Sequence, residues 1–188
     1  LGYGRDIHFT TPFLGTEIKG DYPVEDILEQ LETKQIVGVA NGKAEFGPRA
    51  LGNRSLLADP RGLFVKEHVN EIKRRQRFRP FAPVILEEHV DEYFHMPVNQ
   101  PISRYMQVVA KCKHMLDFPA ITHVDGTSRV QTVPDDNSGI RQLLVAWYRK
   151  TGCPMLLNTR LNIRGEPMVD TVEDADRFEK EYGVKVCR

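Results

Sequence analysis

Positively charged side chains are concentrated in residues 73–79, where five of seven residues are Lys or Arg. Charges this close repel one another, so they require acidic neighbours, solvent or an anionic ligand. Three interpretations are open: a cradle for phosphate groups, a nucleic-acid contact in which Phe78 and Phe81 stack on bases, or a solvated helix end. The segment alone does not decide between them.

A second segment, residues 42–55, combines glycines with two arginines. Glycines let backbone amides approach an anion, and Arg49 and Arg54 could each grip a phosphate or a carboxylate through two hydrogen bonds. The segment is not a Walker loop, because no Gly is followed by Lys and then Ser or Thr in the required frame. The alternative is a surface loop with solvated arginines.

Two further segments place polar side chains next to predicted strands. In residues 122–131, His123 could carry a proton near neutral pH. A Ser-His-Asp hydrolase is disfavoured there, because the chain has no Gly-x-Ser-x-Gly elbow to hold the nucleophile. Residues 158–162 directly follow a strand, where polar side chains commonly face the ligand crevice of an open sheet. Asn and Thr are also ordinary turn formers, so this second segment is ambiguous.

The sequence predicts no metal held by the protein. The remaining five histidines form no close pair, and the three cysteines are far apart along the chain. Neither pattern has the spacing of metal ligands or of a disulfide framework. Cys112, Cys153 and Cys187 are therefore expected to be buried thiols in a reducing compartment, the cytoplasm.

The elements that must position these residues follow from hydrophobic periodicity and from turn signals. Helices are expected at 23–31, from Leu63 to about residue 75, at 87–94, 140–148 and 171–182. Strands are expected at 36–40, 82–86, 105–112, 120–124, 129–133, 155–157 and 184–187. The strands at 120–124 and 129–133 are expected to form a hairpin around residues 125–127, and residues 41–61 have no clean period. Strands and helices without strict alternation indicate an α+β or open α/β domain.

The composition excludes several classes of protein. Of 188 residues, 40% are hydrophobic, and 26 basic residues balance 26 acidic ones. Zero net charge argues against nucleic-acid coating and against a membrane-surface role, and no apolar run is long enough to span a bilayer. Residues 1–20, with several Gly and Thr, are typical of a connector, so we expect a linker there, a domain at 21–188, and a longer parent polypeptide.

Taken together, the motifs resemble the C-terminal domain of carbamoyltransferases, the family of the NodU and TobZ O-carbamoyltransferases. The resemblance extends over residues 12–180 and rests on four blocks in the family's order. These are residues 45–55 with 59–61, Asn70 and Lys73 with 77–83, residues 121–133, and residues 156–167.

This resemblance implies a YrdC-like fold, a twisted mixed sheet flanked by helices with a positively charged concave face. It further implies that the domain forms carbamoyl-adenylate from carbamoyl phosphate and ATP, releasing pyrophosphate, with magnesium accompanying ATP. A separate N-terminal domain of the ASKHA type then moves the carbamoyl group to a hydroxyl acceptor. The alternative is a non-catalytic YrdC-like module that binds a nucleotide or RNA, and a purely structural domain comes third.

The matching motif positions imply roles for individual residues. The catalytic residues implied are Lys73, Arg79, Arg129 and His123. Carbamoyl phosphate would be bound by Arg49, Arg54, Lys73, Arg79 and Arg129. The nucleotide would be bound by Asn158, Thr159, Arg160 and Asn162. The family usually has Asn-Thr-Ser-Phe-Asn in the last block, so Arg160 stands here where the family has a serine.

Overall fold

A computed structural model describes residues 13–45, 52–74, 79–162 and 167–188. The strands within these ranges are β1 Phe13–Ile18, β2 Ile36–Ala40, β3 Gly42–Glu45, β4 Arg54–Ala58, β5 Ala82–Leu86, β6 Phe94–His95, β7 Val108–Cys112, β8 Thr127–Val133, β9 Met155–Arg160 and β10 Val186–Cys187. The α-helices are α1 Val24–Lys34, α2 Val65–Ile72, α3 Val90–Tyr93, α4 Gly139–Thr151 and α5 Val172–Tyr182. Two 3-10 turns lie at Glu87–His89 and Met115–Asp117.

Eight of the described strands form one mixed sheet in the order β10-β2-β4-β9-β5-β8-β7-β6. β10 is parallel to β2 and β8 is parallel to β5, whereas the other neighbours are antiparallel. β9 therefore lies near the centre, between β4 and β5. β1 and β3 form a separate antiparallel pair.

Helices cover both faces of the sheet. On one face, α1 and α4 pack through Leu31, Leu143 and Trp147 against alternate residues of the central strands, among them Leu57 and Leu156. The Trp147 indole donates to the carbonyl oxygen of Met155 at 3.0 Å, which fixes α4 to the start of β9.

The opposite face carries the second apolar cluster, to which α2 and α5 contribute. Val69 of α2 and Phe178 of α5 belong to it together with Leu56 and Leu157 of the sheet. The central strands are thus buried on both sides, which explains their nearly continuous apolar sequences.

Helix ends follow the local signals in the sequence. Thr171 and Asp174 form the predicted capping box at the start of α5, and Gly183 ends the helix with a φ of 68°. Gly152 ends α4 in the same left-handed conformation, with a φ of 76°. A residue without a Cβ meets that requirement without strain.

Several predicted elements differ from the structure. Residues 41–61 contain two strands, β3 and β4, and residues 13–18 of the predicted linker form β1. Residues 1–12 of that linker lie outside the described residues. All three cysteines are buried free thiols, as predicted.

The predicted hairpin of 120–124 with 129–133 is wrong, because β8 pairs with β7 and residues 120–124 form no strand. Ala120 and Ile121 are fully buried, yet they lie in a loop. Their carbonyl oxygens accept hydrogen bonds from the Phe81 amide at 2.9 Å and from the Ser128 hydroxyl at 2.7 Å. The apolar run therefore reflects burial of a loop, with backbone groups satisfied outside any ladder.

Candidate functional site

The motifs singled out in the sequence meet at one end of the sheet. β9 ends there, and its antiparallel neighbours β4 and β5 begin there, with Ser55 opposite Arg160 and Ala82 opposite Asn158. β8 is parallel to β5 and begins at the same end. Three blocks that are distant in sequence thus become neighbours through strand pairing.

Lys73 joins this end of the sheet from the C-terminus of α2. The residue is 7% exposed, and its ammonium group donates to the carbonyl oxygen of Arg160 and to Oδ1 of Asn162, each at 2.8 Å. A buried charge is costly unless hydrogen bonds satisfy it, and these two bonds do so. They also fix the chain immediately after β9.

The segment leading into β5 is held on both sides. The side-chain amide of Asn70 donates to the carbonyl oxygen of Arg79 at 2.9 Å, and the Phe81 amide donates to Ala120. These bonds position the backbone of Arg79 just before β5, whereas its side chain is exposed.

A row of polar side chains lies on the same face of the sheet as α1 and α4. It is formed by residues near the end of β9 and the start of β8, whereas the helices pack on the other part of this face. Residues of a strand alternate between the two faces, and Leu156 and Val133 belong to the core beneath those helices. Residues two and four positions away therefore share that face. These are Asn158 and Arg160 on β9, and Gln131 and Arg129 on β8.

Two buried amides connect this row across β5. Asn158 Nδ2 donates to Oε1 of Gln131 at 3.2 Å, and the residues are 6% and 4% exposed. The strand between them has only the methyl group of Ala82 at the position opposite Asn158. Gln131 was not among the predicted site residues, although a polar residue in the apolar phase of a strand is the signal that could have identified it.

Three arginines at this end of the sheet have no ion-pair partner among the described residues: Arg79, Arg129 and Arg160. Several arginines elsewhere are paired with carboxylates at short distances. Arg61 pairs with Asp59 at 2.9 Å, Arg104 with Glu87 at 3.2 Å, and Arg141 with Glu88 at 2.6 Å.

In addition, Arg160 Nε is buried and makes no hydrogen bond within the described ranges. A group of guanidinium ions without carboxylate partners favours an anion at this end of the sheet.

Arg54 has a different environment from the other predicted ligands. It is fully buried, and its guanidinium donates to the backbone oxygens of Asn41 at 2.9 Å and Asp170 at 2.8 Å, among others. Alternation along β4 directs it to the face opposite Arg160. The observed role is structural, and the predicted contact with substrate stays a prediction that these bonds do not favour.

His123 lies in the turn that enters β8. Its amide donates to Thr127 O at 2.8 Å, its carbonyl accepts from Gly126 at 2.9 Å, and its imidazole is exposed. In the same turn, hydrogen bonds from Thr127 lower the pKa of the Asp125 carboxyl. The structure brings His123 near the start of β8, six residues before Arg129.

Two other predicted site residues remain, Thr159 and Arg49. Thr159 lies on the sheet face opposite Asn158 and Arg160, so the predicted nucleotide ligands are divided between the faces. Arg49 lies outside the described residues, as do Arg75, Arg77 and Phe78 of the basic segment. Within the described residues, no group of three His, Cys, Asp or Glu side chains is arranged to hold a metal ion.

A family model described as the carbamoyltransferase C-terminus matches residues 28–187. The chain belongs to this family. The match extends from α1 to β10 and so includes every strand that contributes to the site, which confirms the resemblance inferred from the motifs.

Curated relatives of this carbamoyltransferase domain are considerably longer. The chain is 46% identical over 145 residues to nodulation protein NolNO of Sinorhizobium fredii, covering 74% of this chain and 21% of that protein. It is 38% identical over 151 residues to 3'-hydroxymethylcephem-O-carbamoyltransferase of Amycolatopsis lactamdurans, covering 80% of this chain and 28% of that enzyme. The domain thus spans about a quarter of the length of these relatives.

Solved structures confirm the predicted YrdC-like mixed sheet flanked by helices. Full-length HypF in its phosphate- and nucleotide-bound form superposes with a TM-score of 0.62 at 18% identity, over 90% of this chain and 21% of that one. HypF from T. kodakarensis gives a TM-score of 0.61 at 20% identity, over 89% and 21%. No helix among the described residues is long and apolar enough to cross a membrane.

Proposed function

We propose that this domain activates carbamoyl phosphate with ATP, forming carbamoyl-adenylate and pyrophosphate. The observation that carries the proposal is the set of arginines without carboxylate partners, Arg79, Arg129 and Arg160, around the end of β9 in a carbamoyltransferase domain. Both substrates are polyanions, and phosphoryl chemistry depends chiefly on positioning and charge stabilisation.

The balance of atoms defines the steps that the site must support. Water cleaves the bond between the carbamoyl oxygen and phosphorus, giving carbamate and inorganic phosphate. A carbamate oxygen then attacks the α-phosphorus of ATP and displaces pyrophosphate, which leaves with its magnesium. Negative charge is redistributed over phosphate oxygens in both steps, so cations that are not neutralised by protein carboxylates stabilise each transition state.

The contacts suggest how the work is divided. Arg79 and Arg129 are exposed and can reach a phosphate group, whereas Lys73 is already bonded to the end of β9 and keeps Arg160 and Asn162 in position. Asn158 and Arg160 share one face and are proposed to lie beside the nucleotide. His123, at the entry to β8, is proposed as a less central proton carrier.

Transfer to the final acceptor is assigned to another domain. A relative named as an O-carbamoyltransferase is about four times longer than the region it shares with this chain, since that region covers 28% of it. We propose that an N-terminal domain of the ASKHA type receives the adenylate and passes the carbamoyl group to a hydroxyl.

The test measures pyrophosphate released from Mg·ATP with and without carbamoyl phosphate, for the wild-type chain, Arg129→Ala and Arg149→Ala. Arg149 is the matched control, because it is also exposed and lies in the last turn of α4. We expect release that depends on carbamoyl phosphate, that falls at least tenfold in Arg129→Ala, and that is unchanged in Arg149→Ala.

Other results would favour other functions. ATP binding in calorimetry without any release would favour the non-catalytic nucleotide-binding module. Binding of single-stranded RNA that weakens steeply with salt, together with no binding of carbamoyl phosphate, would favour an RNA-binding module.

A further inference from the structure

Gln131 is a buried polar residue that the proposed function has not used. It is 4% exposed, and its side-chain oxygen accepts from Asn158 at 3.2 Å. Its amino group, Nε2, donates to no described residue. This amino group is not among the fully buried side-chain atoms of the described residues that lack a partner, so it lies where a ligand can reach it.

The position of Gln131 indicates which ligand would accept from this amino group. It lies two residues from Arg129 on the same face of β8, and it reaches Asn158 across β5. On this face β5 contributes the small side chain of Ala82 opposite Asn158, and Val84 opposite Gln131. The unused donor therefore borders the place where we propose that an anion binds.

We infer that Gln131 is a further substrate-binding residue: its carbonyl holds the Asn158 amide in one orientation, and its amino group donates to an oxygen of bound carbamoyl phosphate. This inference rests on the proposed function, since it concerns the same site. It also explains why a large amide side chain stands on the face of β8 that carries the apolar Val133 further along.

Two substitutions separate this role from a structural one. Gln131→Glu keeps an acceptor for Asn158 but replaces the donor with a negatively charged oxygen, and Arg129 nearby favours the ionised carboxyl at pH 8. Gln131→Met keeps the approximate volume and removes both polar groups without adding charge. If Gln131 contacts the substrate, Gln131→Glu should raise the KM for carbamoyl phosphate more than Gln131→Met does. If its role is purely structural, Gln131→Met should have the larger effect.

The experiment measures the KM for carbamoyl phosphate in the pyrophosphate-release assay at pH 8, with urea unfolding of each variant. We expect KM to rise about 10-fold in Gln131→Met and about 100-fold in Gln131→Glu. If Gln131→Met does not fold, Gln131→Glu alone decides the test. The inference then requires that its KM for carbamoyl phosphate rises while its KM for ATP is unchanged. Thr132→Val is the control, because Thr132 is buried in the same strand on the opposite face and donates to Glu87 at 3.3 Å.

Thr132→Val is expected to lower the urea midpoint and leave KM unchanged. A smaller KM rise in Gln131→Glu than in Gln131→Met, or no rise in either, would overturn this inference alone. The absence of carbamoyl-phosphate-dependent release by the wild-type chain would overturn the proposed function and this inference with it.

Discussion

Arg160 combines two features that indicate contact with a ligand. It stands at the last position of the central strand β9, and its buried Nε has no hydrogen-bond partner among the described residues. Guanidinium is a fixed positive charge with donors only, whereas the serine usual in the family both donates and accepts. If this position contacts the ligand, the substitution changes which ligand atoms can bind there.

We predict that Arg160→Ser raises the KM for ATP about tenfold, because it removes a charge-assisted hydrogen bond to phosphate. The measurement is pyrophosphate release at varied ATP, with Arg149→Ser as the control on an exposed helix position. An unchanged KM would mean that the Arg160 side chain points away from the nucleotide. An increase in kcat with unchanged KM would mean that it obstructs the site.

At the scale of elements, Arg54 connects three parts of the chain. Its guanidinium bonds the carbonyl oxygen of Asn41 after β2, that of Gly42 in β3, and that of Asp170 before α5. Carbonyl groups in a buried position need donors, and a planar group with five N–H bonds can serve several of them at once. This single side chain therefore fixes how α5 begins relative to β4.

We predict that Arg54→Lys lowers the free energy of unfolding by about 3 kcal/mol or more, since an ammonium group cannot span these acceptors and leaves buried carbonyls without donors. Urea unfolding measures the loss. Arg61→Lys is the control, because the Arg61–Asp59 pair is partly exposed and such pairs are worth about 1 kcal/mol or less. A stable Arg54→Lys protein that no longer binds carbamoyl phosphate would instead assign Arg54 to the site.

Hydrophobic periodicity predicted most helices and the apolar strands, because those elements bury a continuous stripe or run. It failed for β4, whose first two residues are Arg54 and Ser55, both fully buried. A buried arginine satisfied by distant carbonyls has no local signal in the sequence. The same applies to Gln131, whose partner Asn158 lies 27 positions away and becomes a neighbour only through the order of the strands.

The family motifs indicated the candidate site more completely than the periodicity did. Lys73, Arg129 and Asn158 come from separate blocks, and the structure brings these blocks to one end of the sheet. The motifs could not indicate which face each residue occupies. That depends on strand register, which separates Thr159 from Asn158 and turns Arg54 away from Arg160.

For the whole molecule, the charge distribution matters more than the total. The net charge is zero, so long-range attraction of anionic substrates is weak and binding depends on local contacts. The site draws on α2 in the middle third of the chain and on β8 and β9 in the last third. A ligand that holds these segments together binds only the folded state, so its binding free energy adds to the stability of the entire sheet.

We therefore predict that Mg·ATP at ten times its Kd raises the free energy of unfolding by about 1.4 kcal/mol, the amount that linkage requires for one site. Urea unfolding with and without the nucleotide measures this rise, and carbamoyl phosphate at the same multiple of its own Kd is expected to act similarly. Arg129→Ala should show a smaller rise with carbamoyl phosphate at the concentration used for the wild-type chain, because its affinity is lower. An equal rise in the free energy of unfolding in both proteins would mean that carbamoyl phosphate binds away from the start of β8. Only a site that does not include Arg129 would keep its affinity when the guanidinium is removed.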